Sequence, residues 1–388
     1  MARSLASPTA GRRRAVLLRV VAAAALLFVF LLGVNGLGDG FKLLGRDFVQ
    51  TFFRATSNPF IGLILGVLAT TLVQSSSVTT SMIVGMVAAP ENPLPLANAV
   101  PMIMGANIGT TVTNTLVSLA HIGRKAEFRR AFAAATCHDF FNYLTVLVLL
   151  PLELATGYLR RTAGLLTGLV TGAGARGVEY ESPISGALEW AFTPVERAAA
   201  FFDSQAARAA LIIAVSAVLI VISLLLLVGV MRALLIGRVE TGLVGALGQS
   251  GIVAMVVGVI ATVMVQSSSI TTSLLVPLAG AGIVTLDQVF PITVGANIGT
   301  TVTALLASLA VTGPNAEAGV TIALVHLLFN LTGAVFIYGI PAVRRIPLYL
   351  ARRLAIVAVR SRAVAIAYVA GMFYGIPAVI AIVDIMLL

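Results

Sequence analysis

The sequence predicts an all-α polytopic membrane protein made of two inverted-topology repeats with re-entrant helical hairpins and broken helices. Three observations lead there. The chain is 59% hydrophobic and only 10% charged, against about 25% charged in soluble domains. Its apolar runs, such as Ala15 to Val34, Leu211 to Val230 and Val364 to Leu388, reach the roughly 20 residues that cross a bilayer as a helix. They lack the alternation of a membrane β-barrel. Finally, the polar phrase GANIGTTVT stands at Gly105 to Thr113 and again, unchanged, at Gly295 to Thr303.

The duplication extends around that phrase, and internal repeats are read before local elements. GLILGVLATTLVQSSSVTTSMIV (Gly62 to Val84) is echoed by AMVVGVIATVMVQSSSITTSLLV (Ala254 to Val276). Gln74 maps to Gln266, Asn107 to Asn297, and His138 and Asn142 to His326 and Asn330, with offsets of 192, 190 and 188. The chain therefore divides into a first repeat at 15–152, a connector at 153–208, a second repeat at 209–343, and a basic loop with a terminal transmembrane helix at 344–388.

Taken in order, Arg12 to Arg14 before an apolar stretch resemble the start of a signal peptide. The stretch is long, however, and Leu211 to Val230 repeats it, so an uncleaved first helix with a cytoplasmic N-terminus is expected. Arg124, Lys125, Arg129 and Arg130 follow the first GANIGTTVT, whereas Thr312 to Gly319 after the second has no basic residue. Lys and Arg mark the cytoplasmic side, so the equivalent loops fall on opposite faces and the repeats are inverted. Counting crossings from Ala15 to Val34 and back through Ala97 to Ala120 makes Pro59 to Ala89 begin and end outside. That segment has a polar centre at Gln74 to Ser81, which fits a re-entrant hairpin. Its counterpart, Ile252 to Gly280, would enter from the cytoplasm. A full crossing, with another segment restoring the parity, stays open. Glu153 to Arg208 mixes five arginines with six acids and reads as external. The net charge of +10 sits in flanks of apolar runs, so it points to membrane orientation and not to nucleic acid. Cys137 is the single cysteine, so no intrachain disulfide is expected.

The candidate chemistry lies at the hairpin centres. Each QSSS stretch brings one glutamine and six hydroxyls, groups that cost free energy in hydrocarbon unless bonded. Ser and Thr also bond back to helical carbonyls or join helices, but six hydroxyls plus Gln, duplicated, exceed packing needs. Gln74, Ser75, Ser76, Ser77, Gln266, Ser267, Ser268 and Ser269 are therefore candidate solute ligands, with Asn107, Asn297, Thr110 and Thr300 from the GANIGTTVT stretches. The spacing of Gly105 and Gly109 also fits close helix packing. Oxygen ligands without thiols or clustered histidines suit hard cations, sodium first. Thr79, Thr80, Ser81, Thr271, Thr272, Ser273, Asn142, Asn330 and Asp139 are the candidate sodium ligands. Half-helix N-termini suit anions, and carriers built of inverted repeats use both. No Lys or Arg falls mid-span, so a bound anion would be balanced by backbone dipoles and co-bound cations. Asp139 is the one acid deep inside a predicted crossing, Ala131 to Leu150, and its repeat partner is Leu327. It reads as a cation or proton site in one half only, or as a polar pair with a neighbouring helix. His138 and His326 read as structural histidines or as ligands, each on one helix face with an asparagine four residues on.

These paired motifs and the run EFRRAFAAATCHDFFNYLTVLVLLPLE (Glu127 to Glu153) resemble the type II sodium-dependent phosphate cotransporter family. The resemblance covers about Leu26 to Glu153 and Ala233 to Pro341. It implies sodium-driven import of inorganic phosphate, mainly divalent, by alternating access, with no enzymatic step. It implies sites built from the QSSS stretches and nearby unwound helices. Ala133, Ala135 and Asp139 match the family's Ala-x-Ala-x-x-x-Asp pattern, which implies electrogenic transport with Asp139 as a sodium ligand. The short connector without cysteine implies a bacterial member in the inner membrane. From the residues alone, a carrier of sulfate or arsenate, a channel and an intramembrane hydrolase are the alternatives. The last needs one asymmetric nucleophile–base pair, which duplicated hydroxyls do not supply.

Overall fold

The order of elements follows the duplicated sequence closely. In the computed structural model, residues 10–43, 53–171, 185–311 and 313–387 are described, and no strand occurs among them. The long α1 (Ala10–Lys42) is followed by two short apolar helices, α2 (Pro59–Val73) and α3 (Ser76–Val87). Then come α4 (Leu96–Thr110), α5 (Val112–Leu119) and α6 (Lys125–Thr156). The connector carries α7 (Tyr158–Val170) and α8 (Ser185–Ala199), with part of it outside the described residues. The second set comprises α9 (Gln205–Ala246), α10 (Gly251–Val265), α11 (Ser268–Ala281), α12 (Leu286–Ser308) and α13 (Ala316–Gly333). Last are α14 (Pro341–Arg360), α15 (Arg362–Ala370) and α16 (Ile376–Leu387). Among the described residues, six helices are long and apolar enough to cross a membrane: Arg14–Phe41, Lys125–Thr156, Gln205–Ala246, Leu286–Ser308, Ala316–Tyr338 and Arg362–Asp384.

Local chemistry sets the boundaries. Asn58 caps α2 by accepting from the Phe60 N–H, and Pro59 takes the first turn, where no N–H is needed. Thr285 and Gln288 form a reciprocal capping box at the start of α12. Gly157, at φ 65°, ends α6, in a conformation that suits glycine. The paired long helices α1 and α9 lie side by side, and many of their outward residues, such as Leu17, Val21, Ile222 and Leu226, are exposed apolar side chains. That is the surface a bilayer covers.

The GANIGTTVT glycines serve close packing. A Cβ on Gly105 would stand 1.9 Å from the Leu63 carbonyl oxygen, and one on Gly295 would stand 1.9 Å from that of Met255. So α4 lies directly on α2, and α12 directly on α10. The helices do not unwind at these glycines: α12 is continuous, and the first copy is interrupted only at Thr111, between α4 and α5.

Two segments differ from expectation. The basic stretch after position 344 is the helix α14 and not a loop. Leu348, Ala351, Ala355 and Ala358 recur on one face and are buried, packing in clusters with Phe128, Phe132 and Phe141 of α6. That spacing is a helical one, and the arginines between these residues mask it. The last apolar run is divided by a wide-turn segment, Gly371–Gly375, between α15 and α16.

Candidate solute site

Both QSSS stretches break their helices in the same way. Gln74 has φ 55° and ψ 28°, and Gln266 has φ 58° and ψ 27°. This left-handed conformation costs a non-glycine residue about 1–2 kcal/mol. The next residue is extended and caps the following helix: Ser75 Oγ accepts from Val78 N–H, and Ser267 Oγ accepts from Ile270 N–H. Serine is a preferred N-cap, so the sequence ends one helix and starts the next within two residues.

The two breaks meet. Gln74, Ser75, Ser76 and Ser77 line one cavity with Gln266, Ser267, Ser268 and Ser269, and Leu224, Leu225 and Val228 of α9 form its apolar wall. Its volume is about 80 Å³, room for about three waters at ~30 Å³ each, so it takes a small solute only. The N-termini of α3 and α11 both open onto it. Their first-turn N–H groups have no partner within the helix, and each end carries roughly half a positive charge. Among the described residues, no Lys or Arg lines the cavity.

One residue joins the two tips. Ser77 Oγ donates to Thr303 Oγ1 at 3.3 Å, and Thr303 Oγ1 donates to Gln266 Oε1 at 3.2 Å. Thr262 Oγ1 also donates to Thr271 Oγ1 at 3.1 Å across the second break. The mirror positions do not match. Thr113 and Thr70, the repeat partners of Thr303 and Thr262, have buried hydroxyls with no hydrogen-bond partner among the described residues. Gln74 is exposed while Gln266 is half-buried. The arrangement is thus closed around the second break and open around the first.

Several other candidate hydroxyls bond within their own helix. Thr79 Oγ1 donates to the Ser75 carbonyl, Thr80 Oγ1 and Ser81 Oγ to that of Ser77, Thr110 Oγ1 to that of Ala106, and Thr300 Oγ1 to that of Ala296. Ser273 Oγ reaches out of its helix and donates to Asn114 Oδ1 at 3.3 Å, and the single Thr272 hydroxyl proton is shared between the Ser268 carbonyl at 2.7 Å and Asn114 Oδ1 at 2.9 Å.

The four asparagines lie together, away from the cavity lining. Asn297 Oδ1 accepts from His138 Nε2 at 2.7 Å, and Asn297 Nδ2 donates to Asn142 Oδ1 at 2.7 Å. Asn107 Oδ1 accepts from Asn330 Nδ2 at 3.0 Å and from His326 Nε2 at 3.4 Å. Each repeat's asparagine thus bonds the other repeat's His–Asn pair. All these side chains are buried. Asn114 Nδ2 lies 3.3 Å from His138 Nδ1, so His138 is fixed as the tautomer that donates from Nε2 and accepts at Nδ1. The repeat partner of Asn114 is Ala304, and His326 Nδ1 has no partner.

Asp139 is fully buried. Its Oδ2 accepts from Tyr368 at 2.8 Å and from Thr115 Oγ1 at 3.4 Å, while Oδ1 has no hydrogen-bond partner among the described residues. An orphaned buried carboxylate oxygen calls for a ligand or a proton. Thr115 neighbours Asn114 in sequence, so this acid sits one residue from the amide that holds Thr272 and Ser273.

Sequence reasoning missed Thr303, Asn114, Thr115 and Tyr368. A signal for two of them was present. Where the repeats differ, Asn114, Thr115 and Asp139 stand against Ala304, Leu305 and Leu327, and all three polar members belong to one buried cluster. Thr303 is identical to its partner Thr113 in sequence, and Tyr368 lies outside the duplication.

Membrane-length helices around a small polar cavity define an integral membrane protein with a solute-sized site. The Na+/Pi-cotransporter family profile matches residues 29–172 and 219–375, and the chain belongs to that family. It is similar to sodium-dependent phosphate transport protein 2A of Rattus norvegicus, 34% identical over 431 residues that cover 94% of this chain and 67% of that protein. The 2A protein of Oryctolagus cuniculus is 35% identical over 439 residues, covering 95% and 68%. Sodium-dependent phosphate transport protein 2B of Homo sapiens is 33% identical over 445 residues, covering 92% and 64%. No solved structure matches the chain.

Proposed function

We propose that this chain is a sodium-coupled secondary transporter that imports inorganic phosphate, in its divalent form, by alternating access. The observation that carries the reading is the cavity shared by Gln74 to Ser77 and Gln266 to Ser269, onto which two helix N-termini open. Backbone N–H groups, serine hydroxyls and the glutamine amides present donors to an oxyanion there. With no Lys or Arg among the described residues of the lining, the anion's charge is balanced by dipoles and by sodium bound close by. Neither charge is comfortable alone, which is a physical basis for coupling.

Sodium ligands are assigned to Asp139, whose Oδ1 is orphaned, and to hydroxyls of Thr79, Thr80, Ser81, Thr271, Thr272 and Ser273. Asn107, Asn142, Asn297 and Asn330 are engaged with one another, so their role in this reading is to lock the two repeats around the site. A carboxylate in one half only, with Leu327 opposite, supports net inward movement of positive charge per cycle. The family membership supports sodium and phosphate as the transported pair, the basic flanks support a cytoplasmic N-terminus, and the short connector without cysteine supports a bacterial inner membrane.

The test is uptake of labelled phosphate into proteoliposomes with and without an inward sodium gradient, and with excess sulfate. Uptake that needs sodium and resists sulfate is expected. Uptake indifferent to sodium refutes the coupling, and uptake suppressed by sulfate reassigns the substrate.

A further inference from the structure

A second and larger cavity, of about 470 Å³, lies between the first turns of α6, the α11–α12 turn and α14. Its lining includes Arg129, Arg130, Arg352 and Asp287, with Val284 and Ile356 among the apolar members. The three guanidinium groups face one carboxylate, leaving an excess of two positive charges. Arg130 is spent on the end of α11, donating to the carbonyls of Ala279 and Gly280. Arg352 pairs with Asp287 at 2.6 Å. Arg129 is exposed and has no hydrogen-bond or ion-pair partner among the described residues.

The position is as informative as the charge. Asp287 lies in the first turn of α12, Gly282 just past the end of α11, and Arg129 near the start of α6. The cavity therefore sits where several membrane-length or hairpin helices end, at the edge of the hydrocarbon layer. Above it α14 buries one face and exposes Tyr349, Val357 and Ile356 between its arginines. Aliphatic, aromatic and arginine side chains on one outer face are the composition of a helix lying in the interface. An inorganic anion has no use for the apolar wall, whereas a lipid uses both parts: headgroup on the cations, acyl chain on Val284 and Ile356.

We propose that this cavity binds an acidic phospholipid, its phosphodiester on Arg129 and Arg352 and its acyl chain along Ile356. The site is separate from the serine-lined cavity and independent of what that cavity carries. Clusters of cations just outside membrane helices attract anionic headgroups, and here the cluster has a seat of ligand size.

The experiment is native mass spectrometry of the detergent-solubilised full chain, titrated with phosphatidylglycerol or with phosphatidylcholine of the same acyl chains. The wild-type chain should retain phosphatidylglycerol preferentially. Arg129→Gln should weaken that retention about fivefold, the worth of one arginine near an anionic headgroup, and leave phosphatidylcholine unchanged. Ile356→Asp, at a part-exposed position that tolerates a polar side chain, should weaken retention as well. Equal retention of the two lipids by wild type overturns the proposal, as does an unchanged preference in both variants. Displacement of phosphatidylglycerol by millimolar inorganic phosphate overturns it too, because it assigns the cations to an aqueous anion.

Discussion

Replacing Thr303 with valine tests the bridge between the two hairpin tips. The substitution keeps the side-chain shape and removes one hydroxyl. It deletes the hydrogen bond from Ser77 and the one to Gln266. At about 0.5–1.5 kcal/mol net for each neutral bond, the loss is about 1–3 kcal/mol, roughly a 5- to 160-fold shift toward states with the tips apart. Thr113→Val is the matched control: its hydroxyl is buried without a partner, so replacing it should be neutral or stabilising by up to about 1 kcal/mol. Both variants would be unfolded in mixed detergent micelles and assayed for sodium-dependent phosphate uptake at several sodium concentrations. Thr303→Val should be the less stable and need more sodium for half-maximal uptake. Equal stability and equal sodium dependence in the two variants would refute the bridge and the asymmetry behind it.

Four further outcomes are expected. Gln74→Ala and Gln266→Ala should each abolish sodium-dependent uptake while leaving a folded protein, as judged by gel filtration; unchanged uptake in both removes the glutamines from the site. Asp139→Gly should abolish the transport current and retain some phosphate uptake, measured on proteoliposomes with a voltage-sensitive dye. His138→Ala should destabilise the chain by about 2–6 kcal/mol, because Asn297 and Asn114 are each left with an unmet buried group at about 1–3 kcal/mol. Gly105→Ala should destabilise by about 1–3 kcal/mol or more through overpacking against Leu63, whereas Gly164→Ala in α7, where a Cβ meets nothing within 4 Å, should be neutral or stabilising by up to about 1 kcal/mol.

The helix breaks were legible because each apolar stretch carries a polar centre, Gln74 to Ser81 and its copy, and the duplication says it twice. The left-handed turns at Gln74 and Gln266 were not, since glutamine has no special preference for that conformation. The partition of the hydroxyls was not legible. Whether Thr80 bonds its own helix or a neighbour depends on what packs opposite, and composition is silent on that. The GANIGTTVT glycines fit both unwinding and close packing; the carbonyls of Leu63 and Met255, far away in sequence, decide for packing. Asn107 and Asn297 read as ligands because a buried amide needs partners, and those partners turned out to be His326 with Asn330 and His138 with Asn142. The α14 helix was hidden by its own arginines, since its small buried residues, mostly alanines, give a weak apolar signal.

The crosswise asparagine–histidine bonds bear on how the chain is made. As the ribosome delivers the first half, Asn107 has neither His326 nor Asn330, and His138 and Asn142 lack Asn297. Buried amides and imidazoles then wait in the lipid for a sequence not yet synthesised. A nascent first half must satisfy these groups with water until the second arrives, because the crosswise bonds need both halves. Cutting the gene within the connector and expressing the pieces separately should yield two unstable fragments, each rescued by the other and neither surviving alone.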